Sequence, residues 1–319
     1  MRRNIGLGAI FGLLVAVGLL FAQSQAVAQQ QQWNGQPQGV QAPPTDRQMG
    51  PQLPTLQRRR PRPEPPPVPF VLSAAEQAQV DRALETWESR SKEIRTFDCK
   101  FTRWKYDAVF PDPKDPNKAN YIDRGVIKYA APDKGFFRAD AADPKDDPHG
   151  LQSEQWICDG KSIFQYEKAK DDKEKSKVVE YPLPPDLQGK AITDGPLPFL
   201  FGAEAQKLKQ RYYLRLITPR DAQGEIWLEA YPRYQKDAAE FKVAHLILQE
   251  KTMLPSALQI YMPTGQQRTV YKFDGIVIND PLRFFEGNPF HANVPFGWIK
   301  VVEQPQPPAQ ASRPAAGAR

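Results

Sequence analysis

The sequence predicts an α+β domain: a large curved antiparallel sheet with amphipathic helices as a lid over one face. Three observations predict it. One helical stripe opens the domain at residues 73–94. Short runs with period-two alternation then follow, about ten in all, and the spacing turns helical again only between residues 184 and 211. A sheet of that many strands must curl, and its apolar face needs a cover that the two helical stripes supply.

Ahead of the domain lies an export signal. Arg2 and Arg3 precede an apolar run from Ile5 to Ala22, and Ala26-Val27-Ala28 has the small-x-small pattern of a cleavage site, so removal after Ala28 is expected. The other reading is a retained anchor, because the run is nearly long enough to span a bilayer. No cysteine sits at its end, which sets aside a lipid-modified terminus. Residues 29–70 hold 11 prolines and 10 glutamines with no apolar periodicity, the composition of a disordered linker. Its Arg58-Arg59-Arg60-Pro61-Arg62 run reads as solvated basic linker or as a strip that touches anionic headgroups or cell-wall polymer. The tail 304–319 has the same character as the linker, leaving 71–303 as one folded domain.

The chain carries 43 Lys and Arg against 37 Asp and Glu, a formal net charge of +6. Nine of the basic and two of the acidic residues lie outside 71–303, so the domain itself holds 34 and 35 and is close to neutral. The basic excess belongs to the tails, which excludes nucleic acid as the inferred partner.

Within the domain, Ser73 and Glu76 form a capping-box pair, and Val80, Leu84, Trp87, Ser91 and Ile94 follow on one helical face. Strand patterns begin at Thr96, where Phe97, Cys99 and Phe101 alternate with Asp98, Lys100 and Thr102, and the run continues to Phe110. Val126–Tyr129, Gly135–Arg138, Gln155–Cys158 and Ser162–Tyr166 come next. Pro132–Gly135 reads as a tight turn, Asp159-Gly160 as a type I′ hairpin and Lys168–Lys177 as a charged loop. Leu197, Leu200, Phe201 and Leu208 make the second helical stripe. Five more strands follow: Tyr213–Thr218, Glu225–Tyr231, Val243–Gln249, Ala257–Met262 and Arg268–Phe273. Asn279-Asp280-Pro281 ends the last pair, and Phe284–Val302 closes the chain irregularly.

Several of these stretches, in this order, resemble LolA, the periplasmic lipoprotein carrier. Gly125–Tyr129, Pro132-Asp133-Lys134 and Phe137-Arg138 are similar to that family's strand, Pro, Lys-Phe-Arg turn, and Cys158–Tyr166 to its S-D-G-K-T-L-W-x-Y hairpin. Asp194–Leu200 falls where the family has a helical lid segment. Glu225–Ala230 with Pro232, Leu254-Pro255 and Arg268–Asn279 match the order of its C-terminal half, so the likeness spans 73–303. With its Gln/Pro linker the whole chain looks most like a LolA-like family of planctomycete-type bacteria. The resemblance implies an unclosed barrel whose apolar concave face holds acyl chains under helices. It departs at Ala131, where the family has an arginine that ties lid to barrel. The latch is therefore different or absent here.

The expected groove lining alternates along the strands: Ile127 and Tyr129, Leu214 and Leu216, Ile226 and Leu228, Leu246 and Leu248, Leu258 and Ile260, Tyr271 and Phe273. Such a face is either a filled core or a groove with room for a tail, and the sequence leaves both open. Trp87, Leu197, Leu200 and Phe201 are the expected lid contacts. Cys99 and Cys158 are either a disulfide, which export permits, or two buried thiols. His149, His245 and His291 share no metal-ligand spacing, and Ser162 and Ser256 lack a G-x-S-x-G context. The acidic run Asp140–Asp147 lacks EF-hand spacing and reads as a solvated face. No cofactor, metal or catalytic cluster is called for. Two functions remain: an exported monomeric carrier or sensor of lipoprotein acyl chains or other lipid, served by a membrane-bound donor or acceptor; or an interaction module using Trp104, Tyr106, Trp227 and Tyr231 on its outer face.

Overall fold

The computed structural model describes residues 68–112, 115, 117–171, 174–185, 188–189, 204–281 and 287–303. The signal segment, nearly all of the linker, the tail after 303, and Leu197, Leu200 and Phe201 of the expected lid lie outside the described residues.

Helix α1 (Ala74–Lys92) forms where the stripe places it. Ser73 accepts from the Glu76 N–H while the Glu76 carboxylate accepts from the Ser73 N–H at 2.8 Å, so two orphan donors of the first turn are satisfied. Val80, Leu84, Trp87 and Ser91 are its buried face. Ile94 continues the stripe one residue past the helical cap at Glu93 and is also buried.

Among the described residues, twelve strands make one sheet in the order β12-β6-β5-β4-β3-β2-β1-β11-β10-β9-β8-β7. The first five are β1 (Thr96–Asp107), β2 (Tyr121–Ala130), β3 (Lys134–Ala141), β4 (Glu154–Cys158) and β5 (Ser162–Glu167). After β6 (Lys177–Pro182) and the short helix α2 (Ala205–Arg211), the chain returns through β7 (Tyr212–Leu216) and β8 (Glu225–Pro232). Helix α3 (Gln235–Ala238) leads to β9 (Val243–Gln249), β10 (Pro255–Tyr261), β11 (Gln267–Ile278) and β12 (Ile299–Val302). The sheet joins first half to second through β1 and β11, which run antiparallel with Phe101 opposite Phe273 and Arg103 opposite Tyr271. Its edges β7 and β12 are unpaired with each other, so the barrel is unclosed.

Two strands escaped the sequence. β6 follows directly on the charged loop, and β12 has four residues, mostly exposed. β12 runs parallel to β6, with Lys300 bridging to Glu180 at 2.6 Å. The segment before it lies on the outer side of β4–β6, where Phe290 packs with Ile157, Phe164 and Val178 in a second small core. The hairpin at Asp159-Gly160 also differs from expectation. Only Gly160 (φ 93°) has positive φ, whereas a type I′ turn needs it at both central residues. The Asp159 carboxylate instead holds the turn by accepting from the N–H groups of Lys161 and Ser162, both at 2.8 Å.

Asn279 (φ 53°) ends β11 as expected and does more. Its side chain accepts from Arg95 N–H at 2.7 Å and donates to Glu93 O at 2.9 Å, tying the exit of α1 to the far end of the sheet. The acidic run is turn chemistry: Asp147 accepts from Leu151 and Gln152 N–H, each at 2.8 Å. Among the described residues no helix is long and apolar enough to cross a membrane.

Candidate functional site: the concave face

Strand alternation puts one row of side chains on the inner face of the sheet, and α1 packs on it. Leu216 lies opposite Leu228, Leu228 opposite Leu246, Leu246 opposite Leu258, and Leu258 opposite Tyr271. Ten of the twelve expected lining residues fall in one buried cluster with Val80, Leu84 and Trp87 of α1, and Leu216 and Ile226 pack against it. Leu228, Leu246, Leu248 and Leu258 are at most 3% exposed, and Ile127, Tyr129, Leu214, Ile260, Tyr271 and Phe273 are also buried. Leu216 and Ile226 are half-buried beside them. From β7 through β4 the concave side is packed with side chains.

From β11 to β4 the row changes character. Phe273, Tyr271, Phe101, Phe137 and Trp156 form a chain of ring contacts with centroids 6.2, 5.7, 5.3 and 5.5 Å apart in that order. Gly125 makes room for it. A Cβ there would lie 2.0 Å from Arg138 O and 2.4 Å from the Phe101 ring.

Beside the aromatic row sits a cluster the sequence did not reveal. Arg103 is fully buried, donating from Nε to Asp123 Oδ2 at 2.7 Å and from Nη1 and Nη2 to Glu154 at 2.9 and 3.0 Å. Lys105 lies 3.3 Å from Asp123 and 3.4 Å from Glu154. Two cations and two anions therefore balance. Burial pushes the Glu154 carboxyl up, but Arg103 and Lys105 more than offset it and hold it below its usual range. A signal was available: Arg103 is in phase with Phe97, Cys99 and Phe101, and an inward arginine demands buried carboxylates.

Beyond Trp156 the inner row is closed at Val179 of β6, which is fully buried opposite Gln165, and partly exposed around it. Ile163, Gln165 and Tyr181 on β5 and β6 are half-buried, with Gln165 opposite Trp156. The buried indole Nε1 of Trp156 has no hydrogen-bond partner among the described residues.

At the other margin a cavity of about 500 Å³ opens beside β7. Its walls are the strap Val68–Leu72, the first turn of α1 with Ala74, Gln77 and Val80, Lys209 of α2, Tyr212–Leu214 of β7, and Arg233. The strap is held by Phe70, whose ring lies 4.8 Å from the Arg215 guanidinium and 5.9 Å from Tyr231. At the rim, Lys209 pairs with Asp81 at 3.1 Å, and Arg233 sits 3.9 Å over the Tyr213 ring. Of the expected lining only Leu214 reaches this cavity. Val68 and Phe70, read as linker, are part of its wall. α2 is docked on α1 by Glu88, which accepts from the Ala205 N–H at 2.9 Å where Glu204 provides no cap.

The remaining candidates are placed apart. Cys99 and Cys158 are free and buried, on β1 and β4 with β2 and β3 between them. Three strand spacings are about 14 Å, twice the reach of a disulfide. Burial pushes their thiols up to about 12 and about 11, so both stay protonated. His149 and His291 are exposed, and His245 faces the convex side at 3.1 Å from Glu229. Ser162 donates to Glu180 at 2.8 Å and Ser256 to Ile247 O at 3.2 Å. Among the described residues no group of His, Cys, Asp and Glu could hold a metal ion.

The class so defined is an unclosed antiparallel barrel with an apolar concave face under a helix. No family model matches the sequence, and no curated protein does. Solved structures that it resembles include an uncharacterised conserved protein from Thermus thermophilus, 11% identical, with a TM-score of 0.37 over 71% of this chain and 99% of that one. A LolA superfamily protein from Nitrosomonas europaea is 9% identical, with a TM-score of 0.30 over 65% of this chain and 99% of that one. The lipoprotein LppX of Mycobacterium tuberculosis is 10% identical, with a TM-score of 0.33 over 62% and 94%. All three scores are low, and the functional reading stands on the chain's own geometry.

Proposed function

We propose that the protein is an exported, non-enzymatic carrier or sensor of amphiphiles such as lipoprotein acyl chains or other lipid, working as a monomer outside the cytoplasm. The observation that supports it is the cavity of about 500 Å³, within the size range of ligand sites and walled in part by the core residues Val80 and Leu214 and by Leu72 packed against them. An apolar tail entering it leaves water at a gain of about 0.8 kcal/mol per CH₂. No cofactor takes part, and release requires a donor or acceptor with a more apolar site. The expected lining splits accordingly: Leu214 meets the tail, while Leu228 and its neighbours hold the fold. The strap 68–72 and α1 form the lid.

The interaction-module reading is less well supported. Trp104, Tyr106, Trp227 and Tyr231 do face outward and are half-buried. Three are already engaged: the Trp227 indole donates to Glu225 at 2.7 Å, Arg268 lies 4.3 Å over Tyr106, and Phe70 meets Tyr231.

Ala74 tests the carrier reading, being exposed on the helix and part of the cavity wall. Titrated with 1-monooleoylglycerol, the wild type binds, and Ala74→Trp binds about tenfold more weakly, a loss of about 1.4 kcal/mol, with an unchanged circular dichroism spectrum. A wild type that does not bind, or a variant that binds equally well, contradicts the proposal.

A further inference from the structure

We propose that the Trp156 indole reads the acyl carbonyl of a neutral ester or amide lipid, making the β4–β6 end of the concave face a second seat for cargo. This rests on the carrier reading for the class of cargo but not on the cavity at β7, which lies at the other margin of the sheet.

The starting point is a group that folding leaves unsatisfied. Trp156 is 4% exposed, its ring is stacked on Phe137 at an interplanar angle of 11°, and Nε1 has no partner among the described residues. A buried donor without an acceptor is costly, and native folds keep few of them. Its surroundings make the orphan more telling. Two residues back on the same strand face, Glu154 is bound by Arg103 and Lys105, so the polar groups beside it on the concave floor are matched.

The missing partner can be specified by chemistry. An indole offers a single neutral donor and accepts nothing. A lone water is a poor occupant, since a buried water needs two to four polar partners. An anion is poorer still, because the nearby cations are already neutralised by Asp123 and Glu154. A neutral carbonyl at the head of a hydrocarbon chain satisfies both sides: its oxygen accepts from Nε1 and its chain runs outward past Gln165 and Ile163 of β5, away from the closed ring row. Access is from the β5–β6 side, past Ile163, Gln165 and Tyr181, which are half-buried around the fully buried Val179.

An ester and ether pair isolates the carbonyl. In the Ala74→Trp background, which fills the cavity at β7, the protein with Trp156 intact (the wild type at this position) and its Trp156→Phe variant are titrated with 1-monooleoylglycerol and with 1-O-oleylglycerol, which differ in that one oxygen. The wild type binds the ester about tenfold more tightly than the ether, the worth of one hydrogen bond to a donor otherwise left unpaired. Trp156→Phe levels the two while leaving ether affinity unchanged. The indole N–H resonance that vanishes in Trp156→Phe shifts with the ester and stays in place with the ether. Equal wild-type affinities, or a preference that survives in Trp156→Phe, overturn the assignment and leave the carrier reading intact. Binding of neither lipid in the Ala74→Trp background overturns the second seat, and binding of neither to the unsubstituted protein overturns both.

Discussion

The concave face is built in two halves that exclude water by different means. From β7 to β10 it is leucine on leucine across four strands, capped by the Val80, Leu84 and Trp87 stripe of α1. From β1 to β4 it is stacked rings beside a buried ion cluster, with one indole left unpaired. Leucine packing is tolerant of detail and carries stability through area alone. The ring-and-charge half is intolerant, since every partner must be present for any to be affordable.

Substitutions that exchange the two chemistries have the largest effects. Leu228→Glu places a carboxylate in the filled half at a cost of several kcal/mol, roughly the whole stability of a domain, and yields no folded protein by circular dichroism. A folded Leu228→Glu protein would show that this half is an open groove. Next comes Arg103→Met, which leaves Asp123 and Glu154 facing only Lys105 and lowers stability in urea titration by about 3–5 kcal/mol. Removing all four charges together, as Arg103→Met and Lys105→Met with Asp123→Leu and Glu154→Leu, recovers most of that loss if the cluster is a balanced unit.

A smaller effect separates the halves by pH. Glu154 is held below its usual value of 4.5, so its contribution is present above that pH and fades as pH falls through the folded-state value. Acid therefore weakens the ion cluster of the β1–β4 half. Glu154→Gln has a flatter decline of stability below about pH 4.5, measured by urea titrations at successive pH values. The smallest change concerns the cover: Ser73→Ala removes one side of the capping box and costs about 1 kcal/mol in melting experiments.

Sequence and structure agree best where a pattern is local. The capping box of Ser73 and Glu76 and the stripe through Trp87 are set within one helix, and the leucine strands show their alternation without any partner. The cavity depends on Val68–Leu72, a stretch that reads as the end of a proline-rich linker until Phe70 is seen against Arg215 and Tyr231. That contact joins residues far apart in the chain, and no local period announces it. β12 was hidden because its partner β6 supplies the pairing while its own side chains stay mostly exposed. Arg103 lay in plain view. Its inward phase in β1 was legible, but Asp123 and Glu154 come from two other strands, and only the register brings them together.

Native mass spectrometry of the protein, produced with its export signal and purified gently, tests the central claim most directly. The carrier account predicts extra mass of an amphiphile that is released on denaturation and recovered in the lipid extract. The bare mass of the chain, unchanged after incubation with phospholipid and with 1-monooleoylglycerol, would contradict it.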